Sequence, residues 1–426
     1  MLPGVAATRL ELSAPYPRDA LLDQRGRLSV GGCDLVELAR EFGTPAYVVA
    51  EDDLRARAHA FTAAFAAHTD RFDLTFATKA FPCAAALSLF AGEGLGADVA
   101  SGGELALALR AGVPPERIHL HGNAKSEAEL TLALEAGVGH VVVDNDTDVE
   151  RLERLAAAAG RTQRVLVRVT PGVRGDTHDA ISTGQVDSKF GFTVEQAQAA
   201  MARLRSSAVL ELEGVHMHIG SQILALEPFR AAVAAVAPLG PVDVVNLGGG
   251  LGVAYTAADA PPSVEDYATA KVEAVHAHFG REVRVLDEPG RALVANAGVT
   301  IYSVESVKTN ASTWVAVDGG MADNLRPMLY GARYEARIAD RPGGGTRCHL
   351  VGKHCESGDV LVRDADLANP RPGDVVVVPA TGAYGHSMAN TYNGVPRPPV
   401  VFCAGGDARV VVRRETLAEL WARDVG

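Results

Sequence analysis

The chain has 426 residues, with 47% hydrophobic and 22% charged side chains. That is a globular composition with enough apolar material for a sizeable core, and it excludes disorder of the chain as a whole. Forty Lys and Arg against 52 Asp and Glu give a formal charge of −12, which argues against a phosphate backbone as a general partner and requires any anion to be held locally.

The start of the chain lacks the basic and continuous apolar blocks of an export signal, and no apolar run approaches the roughly 18–20 residues that span a bilayer, so the sequence reads as soluble and cytoplasmic. The first 45 residues include a hairpin-like stretch, LLDQRGRLSVGG, and are expected to pack with the C-terminal part of the chain (1–45). From there to about residue 297, short β-branched runs alternate with Ala/Leu/Glu-rich stretches of helical period, the pattern of parallel β/α units. The predicted strands fall at 74–79, 97–101, 118–123, 141–144, 165–169, 215–220, 242–247 and 283–288. Helical stretches between them, such as SEAELTLALEAG and DVERLERLAAAAG, close on glycines suited to C-caps. Eight units without a reversal signal favour a closed (β/α)8 barrel over 46–297, with an open doubly wound sheet as the alternative. Beyond residue 297 the runs at 300–306, 313–317, 349–351, 375–378 and 410–413 are separated by Gly and Pro rather than by long helices, which reads as a separate β domain over 298–426. The five cysteines, Cys33, Cys83, Cys348, Cys355 and Cys403, are scattered and show neither a disulfide framework nor a zinc spacing.

In such a barrel the chemistry collects at the C-terminal ends of the strands. The first predicted strand ends TFATKAF and places Lys79 there, an amine able to form a Schiff base. The sixth reads GVHMHIGSQ and sends His216 and His218 to one side, two histidines without a nearby carboxylate and therefore a poor metal set. The seventh runs into NLGGGLG, where Gly248, Gly249 and Gly250 let backbone amides approach an anion. The eighth ends LDEPGRAL, with Glu288 beside Arg291; a buried carboxylate needs a partner, and a protonated ring nitrogen would serve. An amine, a histidine, a glycine cradle for phosphate and a carboxylate for a ring nitrogen together outline pyridoxal phosphate.

On these residues the sequence resembles the fold-type III pyridoxal phosphate decarboxylases, the group acting on ornithine, diaminopimelate and arginine. The resemblance spans almost the whole chain. It is carried by FATKAF at 76–81, HGNAKS at 121–126, HMHIGSQI at 216–223, NLGGGLG at 246–252, EPGRAL at 288–293, DGGMADNLRPMLYGARY at 318–334, GKHCESGD at 352–359 and ATGAYGHSMANTYN at 380–393. It implies that Lys79 carries the cofactor, that His218 stacks on its ring, that Glu288 keeps the ring nitrogen protonated and that Asp98 is a further cofactor-binding residue. Ser221, amides at Gly248 to Gly250 and near Arg291, and the Tyr384 hydroxyl are the implied phosphate ligands. Arg291, Arg326 and Tyr330 match positions for a distal carboxylate, with Tyr384 also on the substrate side. Cys355, the implied proton donor, and Glu356, for a distal amine, are implied to enter the active site of a second subunit, making a homodimer with shared sites. No metal is implied. The implied reaction is loss of carbon dioxide from meso-2,6-diaminopimelate to give L-lysine, the last step of lysine biosynthesis. The alternatives are an ornithine or lysine decarboxylase of the same fold, a racemase, which would need a second base, and a cofactor carrier, which would lack the β domain. The loop at 176–190, with its Gly and Thr, is expected to move when substrate arrives.

Overall fold

The computed structural model describes residues 12–173 and 188–426; most of the 176–190 loop lies outside the described residues. The chain forms two units. One comprises Arg55–Gly252 and Ala260–Ala292, the other the described part of Met1–Leu54 with Val253–Asp259 and Leu293–Gly426.

The first unit is a closed barrel of eight parallel strands: β1 (Phe72–Ala77), β2 (Gly96–Val99), β3 (Ile118–Leu120), β4 (His140–Val143), β5 (Gln163–Arg168), β6 (Leu210–His216), β7 (Val244–Asn246) and β8 (Arg284–Asp287). Each strand pairs with the next, and β8 returns to β1. Their β-branched runs suit strands covered on both faces, and every residue of β4 is buried. Five barrel helices have defined starts because Ser101, Ser126, Asn145, Thr193 and Ser263 each accept a hydrogen bond from the backbone N–H three residues on. Each such cap contributes about 1 kcal/mol. Because all eight strands run parallel in the closed barrel, their C-terminal ends share one rim. Inside the barrel Val142, Leu166, Val244 and Leu286 form one buried apolar layer. Strand β6 carries a register shift between Leu212 and Gly214, and the missing side chain of Gly214 admits the Val244 carbonyl; a bulge of this kind re-aims the side chains around it.

The second unit is built on a nine-stranded sheet with Gly298–Thr309 at its centre, paired to Thr313–Val317, Val375–Pro379 and Ala46–Ala50. Ala46–Ala50 falls within the stretch read from sequence as barrel. Its five buried residues instead bond antiparallel to Gly298–Thr309 and parallel to Val400–Ala404, which pairs the buried backbone N–H and C=O groups on both edges. The N-terminal stretch forms the Leu21–Leu22 and Leu28–Val30 hairpin, extended by Cys33–Asp34, and its Leu28, Val30 and Leu35 share one core with Val48, Val299, Ile301, Val377 and Val401. Cys33, Cys83, Cys348 and Cys403 are buried, whereas Cys355 is exposed. Among the described residues no helix is long and apolar enough to cross a membrane.

Candidate active site

The barrel unit brings Lys79, Asp98, His218, Ser221, Gly248, Gly249, Gly250, Glu288 and Arg291 to the C-terminal ends of its strands or the turns just beyond them. Lys79 sits on the single turn Thr78–Ala80 that follows β1, exposed between two buried neighbours. Glu288 follows β8 directly and is buried. Its Oε1 accepts from Asn246 Nδ2 at 2.7 Å and lies 3.0 Å from His121 Nε2, while Oε2 lies 3.3 Å from His216 Nε2. Asp98, at the end of β2, lies 3.5 Å from the same His121 nitrogen.

Burial pulls against charge for every member of this cluster, and the neighbours decide the outcome. Burial alone would raise Glu288, but His121 and His216 together hold its carboxyl well below the usual range. Burial likewise opposes charge on His121, yet Asp98 and Glu288 raise it above the ordinary histidine value. His216 is pushed down to about 4, chiefly by burial, and Asp98 is raised for the same reason. Burial and then the charges of Lys79 and Arg168 hold His218 well below its ordinary value. The result is a carboxylate at Glu288 held ionised by its neighbours, with protonation of His121 favoured and protonation of His218 opposed.

The glycine turn follows β7. Gly248 is left-handed at φ 57°, and a Cβ there would come within 2.8 Å of His218 Nδ1; a Cβ on Gly249 would run into the Glu288 carbonyl. Close approach, not flexibility, requires these glycines. Arg291 is buried and donates to Ser221 Oγ from Nε at 3.2 Å and from a terminal nitrogen at 2.9 Å, so two residues read separately from sequence form one polar corner. The Gly248 amide donates to Asn246 Oδ1 at 2.9 Å, which fixes the direction of the first peptide of the turn.

The second unit holds the other expected residues. Arg326 is buried at the start of the Arg326–Tyr330 helix, donates to Tyr334 Oη at 2.5 Å and lies 4.4 Å from the centre of the Tyr255 ring. Burial opposes its charge, but the neighbouring phenols Tyr255 and Tyr334 hold it firmly protonated. Tyr330 is half-buried at the end of that helix, and Tyr384 adopts φ 66° before the short Gly385–Met388 helix. Cys355 and Glu356 are exposed on a loop whose shape is set from beneath: Asp359 accepts from the amides of Met321 at 2.7 Å and His354 at 2.9 Å. The Cys355 amide donates to Asn393 Oδ1 at 3.2 Å, and Tyr392 donates to Glu356 at 2.5 Å.

Sequence reasoning placed no carboxylate near His216, and this too is corrected. Barrel closure brings Glu288 against it, although 72 residues separate them. Among the described residues the group able to hold a metal ion is His119, His121 and Glu288, with ligand atoms within 4.8 Å of one another. Asn246 and His121 were given no role from sequence. Their signal was available, since both stand inside motifs that had been noted, NLGGGLG and HGNAKS.

The geometry meets an independent match. Residues 51–295 fit the family model described as "Pyridoxal-dependent decarboxylase, pyridoxal binding domain". The chain is 44% identical to the diaminopimelate decarboxylase of Mycobacterium tuberculosis, covering 96% of this chain and 97% of that protein. It is 44% identical to the Bacillus subtilis enzyme of the same name, covering 95% and 96%. Among solved structures, diaminopimelate decarboxylase from M. jannaschii in complex with L-lysine superposes with a TM-score of 0.90 at 34% identity, over 96% of this chain and 98% of that one. The chain therefore belongs to the pyridoxal-dependent decarboxylases, in the diaminopimelate decarboxylase family.

Proposed function

We propose that the protein removes carbon dioxide from meso-2,6-diaminopimelate to yield L-lysine, with pyridoxal 5′-phosphate as its cofactor. The observation that carries this reading is the buried, anionic Glu288, held between Asn246, His121 and His216 at the strand-end rim that also bears Lys79. A carboxylate so held suits a protonated pyridine nitrogen, which a racemase of this plan would not require.

The donor set fits the cofactor. Lys79 offers the amine for its aldehyde, Glu288 the partner of its ring nitrogen, and His218 an uncharged ring beside Gly248. Asp98 is read as acting through His121 on Glu288. Ser221, Arg291, the amides of Gly249 and Gly250, and the Tyr384 hydroxyl are assigned to its phosphate. When bound, pyridoxal phosphate supplies the electron sink for the pair left by the departing carboxylate.

The protein's own residues then determine which substrate is accepted and where its proton comes from. Every amino acid presents the same amine and carboxylate at the reacting carbon, so selection must act at the far end of the substrate. Arg326, fixed by Tyr334 and Tyr255, offers a preset fork for a distal carboxylate, with Tyr330 one helical turn further and Arg291 as a second cation. Glu356 is assigned to the distal ammonium. The Cys355 thiol is assigned to deliver a proton to the α-carbon. Because both stand exposed on a braced loop, we read them as serving a second copy of the chain, in a cytoplasmic homodimer. The test is carbon dioxide release from meso-diaminopimelate against D-ornithine, L-ornithine and L-lysine. Diaminopimelate is expected to be turned over by far the fastest, and a preference for ornithine would overturn the substrate assignment.

A further inference from the structure

Lys271 lies on the Val264–Phe279 helix, on none of the strand ends that form the rim, and is 1% exposed. A lysine at that depth is tolerated only if its protons are all engaged. Four oxygens engage them: Nζ donates to the Gly248 carbonyl at 2.9 Å, the Leu247 carbonyl at 3.3 Å, Tyr267 Oη at 2.5 Å and the Asp287 carboxylate. Tyr267 in turn donates to Asp287 at 3.1 Å, and the ammonium lies 4.3 Å from the Tyr267 ring centre and 4.9 Å from that of Phe229. Burial raises Asp287 to about 6 and lowers Lys271, and each is countered chiefly by the charge of the other.

The consequence is transmitted by two peptide planes. In a trans peptide the C=O and the N–H point in opposite directions. Drawing the Leu247 carbonyl onto Lys271 turns the Gly248 amide the other way, onto Asn246 Oδ1, and Asn246 Nδ2 then reaches Glu288. Drawing the Gly248 carbonyl onto the same ammonium turns the Gly249 amide away from the helix. A third link runs along the chain, since Asp287 is the residue before Glu288 and also takes a proton of Lys271.

We infer that Lys271 is a positioning residue for the cofactor: a buried ammonium behind the glycine turn that sets the Gly249 amide toward the phosphate and, through Asn246, the carboxylate that meets the ring nitrogen. This rests on the assignment of Gly249 and Glu288 to pyridoxal phosphate.

The experiment compares the wild type with Lys271→Met and with Lys271→Met/Asp287→Leu, the second removing both charges so that no buried ion is left alone. Each protein is stripped of cofactor and titrated with pyridoxal 5′-phosphate and with pyridoxal, following the absorption band, and its melting temperature is recorded. Both variants are expected to lose about 10–100-fold in affinity for the phosphorylated cofactor, the range for partners that orient a ligand from behind. Affinity for pyridoxal is expected to fall less, and the double variant to melt near the wild type. A double variant that is stable and binds the phosphorylated form as tightly as wild type overturns the inference, because Lys271 then only neutralises Asp287. Equal losses for the two ligands overturn it as well. If the wild type itself takes up neither ligand, the cofactor assignment fails first, and the two failures are thereby told apart.

Discussion

The two ends of the barrel are both polar inside, and they use their charges in opposite ways. At the N-terminal end, Arg284 of β8 pairs with Asp73 of β1. On the bulge of β6, Glu213 accepts from His140 Nε2 at 2.7 Å and lies 3.6 Å from Arg164, while His140 Nδ1 lies 3.1 Å from His119 Nε2. Two carboxylates meet two guanidinium groups there, and burial keeps His119 uncharged, so the charges cancel locally. Past the apolar layer of Val142, Leu166, Val244 and Leu286, which His119 bridges to within 4.8 Å of His121 and Glu288, the other end does not cancel pair by pair. Asn246, His121 and His216 converge on one carboxylate, Glu288, while Lys79 stands exposed. A closed set of pairs stabilises a fold; a carboxylate supplied from several strands and kept ionised is ready for a partner that arrives later.

Mutations on the C-terminal side should therefore reach catalysis far more than stability. The largest effect is expected for Lys79→Ala, which should abolish turnover and the link to the cofactor that borohydride fixes; an adduct retained at another lysine would refute the role. Next, Glu288→Gln keeps the shape and removes the charge. A loss of about 10²–10⁴-fold in kcat is expected, the usual range for a positioned proton-transfer partner, with a changed cofactor absorption band. Turnover within a few-fold of wild type would show that the convergence of donors on Glu288 has another purpose. A smaller recovery is expected when inactive Lys79→Ala and Cys355→Ala proteins are mixed and allowed to re-associate. Random exchange in a two-fold dimer leaves about a quarter of the sites intact. No recovery despite demonstrated exchange would count against a shared site.

Legibility in the sequence followed the same division. Strand ends were readable because β-branched runs stop at small or polar residues, and so Lys79, His218, the glycine turn and Glu288 could be named from position alone. The convergence on Glu288 was not readable, since Asn246 and His216 lie 42 and 72 residues from it and meet it only when the cylinder closes. The bulge at Glu213 left no trace in the alternation either, because one extra residue between Leu212 and Gly214 reads as an ordinary strand. Lys271 is indistinguishable from a solvated helix lysine until the Gly248 carbonyl is seen against it. The barrel range read from sequence begins at 46 although no strand is read there, and Ala46–Ala50 pairs with Gly298–Thr309 and Val400–Ala404, partners about 250 and 350 residues away that no local pattern reveals.

The smallest effect belongs to the N-terminal end and bears on the comparison from its other side. The hydrogen bond from His140 is the main cause holding the Glu213 carboxyl below its ordinary value of 4.5, against the opposing pull of burial. A carboxyl lowered in the folded state stabilises the protein fully above the ordinary value and loses that contribution as the pH falls through the lowered one. Glu213→Gln should accordingly cost stability at neutral pH and much less in acid, so its melting temperature should converge on that of the wild type as the pH drops below about 4. The kcat on diaminopimelate should change little, because Glu213 reaches Glu288 at one remove, by way of His140 and His119, whose ring nitrogen lies within 4.8 Å of the Glu288 carboxylate. A mutant whose deficit is the same at every pH would remove the ion pair as the cause. A mutant with normal stability and lowered kcat would mean that the two ends of the barrel communicate through His140 and His119, and the division drawn between them would no longer hold.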